Sequence, residues 1–283
     1  MGRRGFDVID VHTHILPPEI IARAEEYQGK DEHFGNLAKT PGNRYATADD
    51  LILEMDRTGV SMSVTFGFAF RDAGACREVN DYIAASVARY PDRLVGFMCV
   101  NPLDAGVERE VSRCVSAGLR GVGELLPDGQ GFDLSGGLGP LANLCREARL
   151  PLLVHVNEKV GHTYPGKGKQ GAEEAYAFAA RHPGLRICFA HWGGGLVFYE
   201  LMPEVRRAMS DVYYDTAAGP FLYDPRIYRT MIASGAVGKV LFGSDFPLLS
   251  PERYLRQLDG LSLPEGDVKR ILCDNARGFL GLG

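Results

Sequence analysis

The strongest constraint on the fold is an alternation of short apolar runs with amphipathic segments, repeated eight times along the 283 residues. The apolar runs are rich in β-branched residues and predict strands. They lie at residues 6–11, 61–66, 94–100, 119–125, 151–156, 186–191, 212–215 and 240–243. Most of the segments between them carry apolar residues at helical spacing. These segments predict helices at residues 76–90, 107–117, 138–148, 170–181, 196–209 and 226–233.

The apolar runs also indicate how the strands are arranged. Nearly all are apolar throughout, which is typical of a parallel sheet that is buried on both faces. Eight strands are the number that closes a (β/α)8 barrel, and the chain length suits one. An open doubly wound sheet is the alternative, but no Gly-x-Gly-x-x-Gly motif follows any of the runs. The sequence therefore predicts an α/β fold, a (β/α)8 TIM barrel that forms a single domain over residues 1–283.

The longest connection, residues 15–46, follows the first predicted strand and is predicted to be a loop over a site, because it holds several aromatic and charged side chains. Pro17 and Pro18 near its start would stop a helix that continued from the first run, which supports the interpretation of that run as a strand. After it, Thr47 predicts a helix N-cap, with two aspartates in the first turn where carboxylates interact favourably with the helix dipole.

The composition argues against several kinds of partner. The net charge is −5 and the chain contains no basic block, so nucleic acid is disfavoured. No apolar run reaches membrane-spanning length, and residues 1–5 carry two arginines without the apolar region of a signal peptide. Single cysteines suggest buried thiols in a reducing compartment, and they are Cys76, Cys99, Cys114, Cys145, Cys188 and Cys273. We expect a cytoplasmic protein with a small-molecule partner, and a homodimer is left open.

His12 and His14 follow the first predicted strand directly. Side chains two residues apart on a strand point in the same direction. Two imidazoles aimed at one point form half of a metal site, although a pair of loop histidines bonded to backbone is the plainer alternative.

In a barrel of this kind, catalytic groups collect at the carboxyl ends of the strands. Four more imidazoles or carboxylates occupy such ends, namely Glu124, His155, His191 and Asp245. Each has a structural alternative: a solvated carboxylate, two buried histidines that are hydrogen-bonded in the core, and a turn-forming aspartate. One bound metal would account for all six residues together.

At these positions the sequence resembles a known family. The resemblance lies in Asp10–His14 (Asp-Val-His-Thr-His), His155, the Ala-His-Trp-Gly-Gly turn at residues 190–194 and the Leu-Phe-Gly-Ser-Asp-Phe-Pro stretch at residues 241–247. These motifs resemble the amidohydrolase superfamily, in the amidohydrolase-related or family 2 branch that includes aminocarboxymuconate-semialdehyde decarboxylase. The last helix of that branch is similar to residues 275–282, so the resemblance spans the chain.

The resemblance implies that His12, His14, His155 and Asp245 hold a divalent metal. It makes His191 either a further ligand or a base and oxyanion stabiliser beside the metal. Many binuclear members have a carboxylated lysine at strand 4, where this chain has Glu124. Glu124 could ligate or bridge metals, as in TatD-like members, which leaves one or two ions open.

The ligand types support the same chemistry. Mixed imidazole and carboxylate ligation suits Zn²⁺, with Mn²⁺, Fe²⁺ or Co²⁺ as alternatives. A bound metal can lower the pKa of water to about 7, Asp245 could accept its proton, and His191 could stabilise an oxyanion. Candidate substrate contacts for an acidic molecule are His162, Lys159, Tyr164 and Arg71.

Three functions are compatible with these residues. The first expectation is a metal-dependent hydrolase of a C–N or C–O bond, such as an amide or a lactone, in a small molecule. The second is a decarboxylase of an unsaturated carboxylic acid on the same site. The third is a non-catalytic barrel that binds metal for structure, which would have a closed site without a solvent position.

Overall fold

The structure, a computed structural model, describes residues 5–40, 42–136 and 138–282. Residues 1–4, which hold the paired arginines discussed above, lie outside the described residues. The described residues form eight strands, which are β1 Ile9–His14, β2 Met62–Phe66, β3 Leu94–Gly96, β4 Val122–Leu125, β5 Leu152–Val154, β6 Ile187–Phe189, β7 Val212–Asp215 and β8 Val240–Leu241. Each of the eight falls within or overlaps a predicted apolar run, although most are shorter than predicted.

All paired strands are parallel and neighbours in sequence are neighbours in space. Regular pairing joins β1-β2-β3 and β4-β5-β6-β7-β8. Backbone bonds close both gaps: Gly123 N–H donates to the Met98 carbonyl (2.9 Å), and Val11 N–H donates to the Phe242 carbonyl (2.8 Å). The predicted eight-stranded barrel is therefore confirmed. Its closure places the carboxyl ends of all strands at one face.

Helices surround the strands, and most coincide with predicted ones. The longer helices are Ala48–Thr58, Ala73–Arg89, Val107–Ser116, Gly139–Glu147, Ala172–Arg181, Ile227–Ser234 and Pro251–Gly260. Shorter helical segments are Pro127–Gln130, Pro203–Ala208, Gly219–Leu222, Glu265–Lys269 and Asn275–Leu280, with 3₁₀ turns at Leu196–Leu201 and Val237–Lys239 and a π-helical stretch at Arg270–Asp274. The single helix predicted over 196–209 is divided at Pro203, because proline cannot donate the backbone bond that would continue the preceding turn.

The connection 15–46 is predicted to be a loop, but the structure shows it to be partly helical. It contains three helices, Pro18–Ala22, Ala24–Lys30 and Glu32–Ala38. The run before the two prolines is a strand as predicted. Pro18 starts a new helix at its first position, where the missing N–H has no partner to lose. Asp31 fixes the third helix: its carboxylate accepts from the Phe34 N–H (3.0 Å) and from the Arg71 N–H (3.0 Å).

Thr47 caps the next helix as predicted. Its hydroxyl oxygen accepts from the Asp50 N–H (3.3 Å), and the Asp50 carboxylate accepts from the Thr47 N–H (2.8 Å). This reciprocal capping box satisfies two backbone donors that would otherwise lack partners.

The apolar residues form one continuous core that links the barrel interior with the surrounding helices. The six cysteines are buried and unpaired in disulfides. Within the described ranges, none of the helices combines the length and the apolar character needed to cross a bilayer.

An ion cluster around one buried carboxylate joins two helices outside the barrel. The Glu110 carboxylate, which is 8% exposed, accepts from the Arg113 guanidinium (2.7 and 2.9 Å), from the Asn80 amide (3.0 Å) and from Arg77 (3.2 Å). The bonds from Arg113 outweigh the effect of burial and lower the pKa of Glu110 to about 2. Folding therefore favours the ionised carboxylate.

We predict that Glu110→Gln lowers the free energy of unfolding by about 1–3 kcal/mol at pH 7, as is usual for a lost bond to a charged group. Because the folded pKa of Glu110 lies below its unfolded value, its contribution is complete above about pH 4.5 and disappears as the pH falls towards 2. Urea unfolding of both proteins at pH 7 and pH 3 should give a smaller difference at pH 3. The exposed Glu108 on the same helix provides the control, since Glu108→Gln should change stability by less than about 0.5 kcal/mol. An equal difference at both pH values would contradict the assignment.

Candidate metal centre and active site

The two histidines of β1 have their ring orientations fixed by oxygen acceptors. His12 is fully buried, and its Nδ1–H donates to the Asp215 carboxylate (2.9 Å). The Nδ1–H of His14 donates to the Gly67 carbonyl (3.2 Å). These bonds assign the ring protons to Nδ1 and leave a lone pair on each Nε2. The two Nε2 atoms lie only 3.1 Å apart, so two lone pairs face each other.

Strands β5 and β6 bring two more imidazoles to the same place. The Nδ1–H of His191 donates to the Ala217 carbonyl (3.0 Å), which leaves its Nε2 free. His155 is turned the other way, because its Nε2–H donates to the Asn157 side-chain oxygen (3.3 Å). Its Nδ1 then lies 2.9 Å from the His191 Nε2 and 2.9 Å from the Glu124 carboxylate.

The carboxylates of Glu124 and Asp245 complete the cluster. The Glu124 Oε2 lies 3.6 Å from the His12 Nε2 and 3.7 Å from the His14 Nε2. The Asp245 Oδ1 lies 3.4 Å from the His14 Nε2 and 3.6 Å from that of His12. Ligand atoms that share one ion at ordinary bond lengths are about 3–4 Å apart. The structure therefore brings together all six residues that the sequence singled out for a metal.

Two overlapping groups within this cluster have ligand atoms close enough to grip one ion. One consists of His12, His14 and Asp245, and the other of His12, Glu124 and His191, with all ligand atoms of each group within 4.8 Å of one another. His12 belongs to both. Its Nε2 has a single lone pair and can ligate one ion, so the two groups are alternative or partial ligand sets. Both the metal and the number of ions remain predictions.

The carboxylates of the cluster favour positive charge between them. Burial alone would lower the pKa of His12, but Asp215 and Glu124 raise it to about 9. Burial would likewise lower the pKa of His191, but Glu124 raises it to about 10. Burial would raise the pKa of Asp245, but the bond from His14 and the charge of His12 lower it to about 2. Buried lone pairs and carboxylates that face one another need protons or a metal between them, so the residues fit a divalent ion.

Asp215 was missed by the sequence analysis, although it ends β7 as the other residues end their strands. It is fully buried. Besides the His12 ring, its carboxylate accepts from the backbone N–H groups of His191 (2.9 Å) and Ala217 (3.0 Å). One carboxylate therefore orients a ring on β1 and the backbone that carries a ring after β6.

Two of the site residues have left-handed backbone conformations. His191 has φ 58° and Asp245 has φ 64°, which is uncommon for residues other than glycine. His191 lies shortly after β6 and Asp245 shortly after β8, where the chain turns and aims a side chain at the centre. Such conformations are concentrated at functional sites because the surrounding contacts hold them in place.

A cavity of about 480 Å³ opens above the cluster. Its floor consists of the polar groups His14, Glu124, His155, His191 and Asp245. Its walls are largely aromatic and aliphatic, with Phe34, Leu37, Tyr45, Phe68, Phe221, Leu222 and Leu248 among them. Phe34 and Tyr45 come from the connection 15–46, which covers the site as predicted.

The four predicted substrate contacts divide into two pairs. His162 and Tyr164 line the cavity. Lys159 and Arg71 do not, because their charges are directed elsewhere: the Lys159 ammonium pairs with Glu174 (2.7 Å), and the Arg71 guanidinium donates to the Gly129 carbonyl (3.3 Å). The structure therefore does not place these two cations where they could contact a substrate in the cavity.

Arg44 lines the cavity instead. Its side chain is exposed, and among the described residues it forms no ion pair or hydrogen bond. The sequence placed Arg44 in the covering segment but gave no signal that distinguished it from the other cations there.

The sequence is similar to known proteins over nearly its whole length. The sequence profile of the amidohydrolase family matches residues 9–282. A curated relative, the 2-amino-3-carboxymuconate-6-semialdehyde decarboxylase of Dictyostelium discoideum, is 24% identical over 97% of this chain and 91% of its own length.

Two solved structures share the fold at low identity. The 5-carboxyvanillate decarboxylase of Novosphingobium aromaticivorans, complexed with manganese and 4-hydroxy-3-methoxy-5-nitrobenzoic acid, superposes with a TM-score of 0.77 at 19% identity, covering 100% of this chain and 98% of that one. The dihydroxybenzoic acid decarboxylase of a Polaromonas species, with manganese and 2-nitroresorcinol, has a TM-score of 0.72 at 18% identity, covering 98% and 97%.

We predict that Asp215→Asn weakens divalent metal binding about 10- to 100-fold, the usual effect of losing a group that orients a ligand. An amide can donate to the His12 Nδ1, which would move the ring proton to Nε2, the atom that should face the metal. Titration calorimetry with Mn²⁺ or Zn²⁺ measures the change. Asp211→Asn, just before the opposite end of β7, should bind as the parent does, and unchanged affinity in Asp215→Asn would refute the orienting role.

Proposed function

We propose that this chain, which belongs to the amidohydrolase family, is a metal-dependent decarboxylase that acts on a small unsaturated or aromatic carboxylic acid. The sequence alone ranked hydrolysis first and decarboxylation second. The relatives change that order, because the curated relative and both structural neighbours described above are decarboxylases. Hydrolysis of an amide or lactone by the same site becomes the alternative.

The observation that carries the proposal is the separation of the cavity into a polar floor and apolar walls. Aromatic side chains such as Phe34 and Phe68 line the walls, and they offer flat faces on which a conjugated ring can pack. The carboxylates and the imidazoles of the candidate ligands lie at the floor, and His162 is a further imidazole among the lining residues. A planar acid would thus enter with its carboxylate towards the floor and its ring between the walls.

The reaction needs a proton on the substrate carbon. The bond between the carboxylate and that carbon breaks, its electron pair stays on the carbon, CO₂ leaves and a proton takes its place. Asp245 and His191 are the floor groups that we assign to proton transfer. The His191 Nδ1–H is engaged by the Ala217 carbonyl, so Nε2 is the atom that exchanges a proton. Asp245 can ligate with one oxygen and transfer a proton with the other.

The ligand set of imidazoles and carboxylates suits Zn²⁺ or Mn²⁺. When bound, such an ion would polarise a substrate oxygen and stabilise the negative charge that develops there. His12, His14, His155, Glu124 and Asp245 are the residues that would hold it. Manganese in two structural neighbours makes Mn²⁺ the first ion to test.

Arg44 would bind a second polar or anionic group of the substrate. It is the arginine that lines the cavity among the described residues, and its guanidinium is directed at no protein carboxylate. A planar fork of donors recognises a carboxylate or phenolate well. This residue therefore favours an acidic substrate.

The deciding experiment incubates protein loaded with Mn²⁺ or Zn²⁺ with a panel of aromatic and unsaturated carboxylic acids in D₂O. We expect release of CO₂, and a product with one deuterium at the carbon that lost its carboxylate. Parallel reactions in H₂¹⁸O should leave no ¹⁸O in the organic product. Asp245→Asn, which keeps a side chain of the same size, should reduce kcat at least 100-fold, the lower end of the usual effect of a proton-transfer group, without loss of the folded barrel by circular dichroism.

The opposite results separate the alternatives. Turnover of amides or lactones with ¹⁸O in the product, and none of the acids, would establish hydrolysis. Metal-loaded protein that turns over neither panel would contradict both enzymatic readings and leave the structural metal site.

We predict for Arg44→Gln a KM about 10- to 100-fold higher with kcat changed little, because a contact made equally in ground and transition states affects binding alone. Steady-state kinetics with the best acid from the panel measures both constants. Arg71→Gln is the matched control, since Arg71 does not line the cavity. Equal effects of the two substitutions would exclude Arg44 as the anchor.

A further inference from the structure

Asn157 lies between the metal centre and segment 158–169, which covers one side of the cavity. It follows β5 and is 2% exposed. Its side-chain oxygen accepts three bonds, from the Gly168 N–H (3.0 Å), from the Tyr164 hydroxyl (3.2 Å) and from the His155 Nε2–H (3.3 Å).

The bond from Gly168 assigns the Asn157 amide. A backbone N–H can only donate, so the atom that faces it is the oxygen. Because an oxygen can only accept here, the His155 Nε2 must carry the proton, and its Nδ1 lone pair is directed at the metal centre. The position of segment 158–169 therefore affects which nitrogen of His155 is available as a ligand.

Close packing keeps this connection in place. A Cβ atom at residue 168 would lie 2.6 Å from the Asn157 amide nitrogen and 2.2 Å from the Asp128 carboxylate, so a larger residue would displace these side chains. The end of the segment has a separate anchor, because the Asp128 carboxylate accepts from the N–H groups of Lys169 (2.9 Å) and Gln170 (3.2 Å). Asp128 has no bond to any of the six proposed ligands.

We propose that Asn157 couples occupation of the metal site to closure of segment 158–169 over the cavity. A metal that takes the Nδ1 lone pair of His155 fixes the Nε2–H on the Asn157 oxygen, and the same oxygen holds Tyr164 and Gly168. Release of the metal frees the ring to turn and weakens the hold on the segment. The inference rests on the metal-binding part of the proposed function and is independent of the reaction catalysed.

Coupling of this kind is reciprocal. If metal binding stabilises the closed segment by a certain factor, then closure tightens metal binding by the same factor. Asn157 is thus a positioning residue for His155 and for Tyr164. Its loss should change both the metal affinity and the hydrogen exchange of the segment, and both can be measured without turnover.

The test compares Mn²⁺ affinity with amide hydrogen exchange of residues 158–168, in the metal-free and in the Mn²⁺-saturated protein. In the parent we expect Mn²⁺ to slow exchange of this segment about 10-fold or more, in line with the usual effect of groups that orient a ligand. Asn157→Leu should bind Mn²⁺ about 10- to 100-fold more weakly, and saturating metal should no longer slow exchange of the segment. Asn157→Asp keeps an acceptor oxygen and should restore both properties.

Asp128→Asn serves as the control for loosening of the segment by itself. It weakens the second anchor, so exchange should be faster in both states, while the ratio between the two states stays at the parent value because Asp128 has no bond to His155. A parent that binds Mn²⁺ without slower exchange, or an Asn157→Leu variant with the parent ratio, overturns the coupling and leaves the metal site intact. A parent that binds no divalent metal overturns the metal site together with the coupling.

Discussion

Fixed imidazole tautomers at the floor of the barrel determine what the site can bind. The Nδ1–H groups of His12, His14 and His191 all donate to oxygen acceptors, so three Nε2 lone pairs converge with the carboxylates of Glu124 and Asp245. In a buried environment these groups repel one another unless positive charge lies between them. The acceptors that create this arrangement belong to the barrel: Asp215 ends β7, and Gly67 follows β2. The barrel thus holds buried lone pairs and carboxylates close together, and a divalent ion would relieve their mutual repulsion.

The fold and much of the site were predictable because both follow from short-range patterns. Uniformly apolar runs mark buried parallel strands, and in a barrel all carboxyl ends meet at one face, so a residue at a strand end has a known location. His12, Glu124, His155 and Asp245 could therefore be placed together without coordinates. Thr47 was equally accessible, since a capping box is encoded within four residues.

What remained hidden depends on contacts between segments that are distant in sequence. The helices within residues 15–46 are short, and their stability comes from packing over the cavity rather than from a visible periodicity. Lys159 and Arg71 do not line the cavity, because their side chains bond to the Glu174 carboxylate and to the Gly129 carbonyl. No local sequence pattern predicts these partners. The left-handed backbone of His191 and Asp245 is likewise imposed by the surrounding structure.

Metal binding and substrate choice are not independent in this barrel, because one side chain contacts both the floor and a wall of the cavity. Strand ends supply the floor, and the connections after β1 and β5 supply walls, which would suggest that a wall could change without effect on the floor. Asn157 contradicts that separation, because a single oxygen accepts from a floor imidazole and from two groups of the wall segment. A substitution that moves this wall to admit another substrate would also turn His155. Changes of specificity in segment 158–169 are therefore restricted to those that keep Gly168 and Tyr164 in reach of that oxygen.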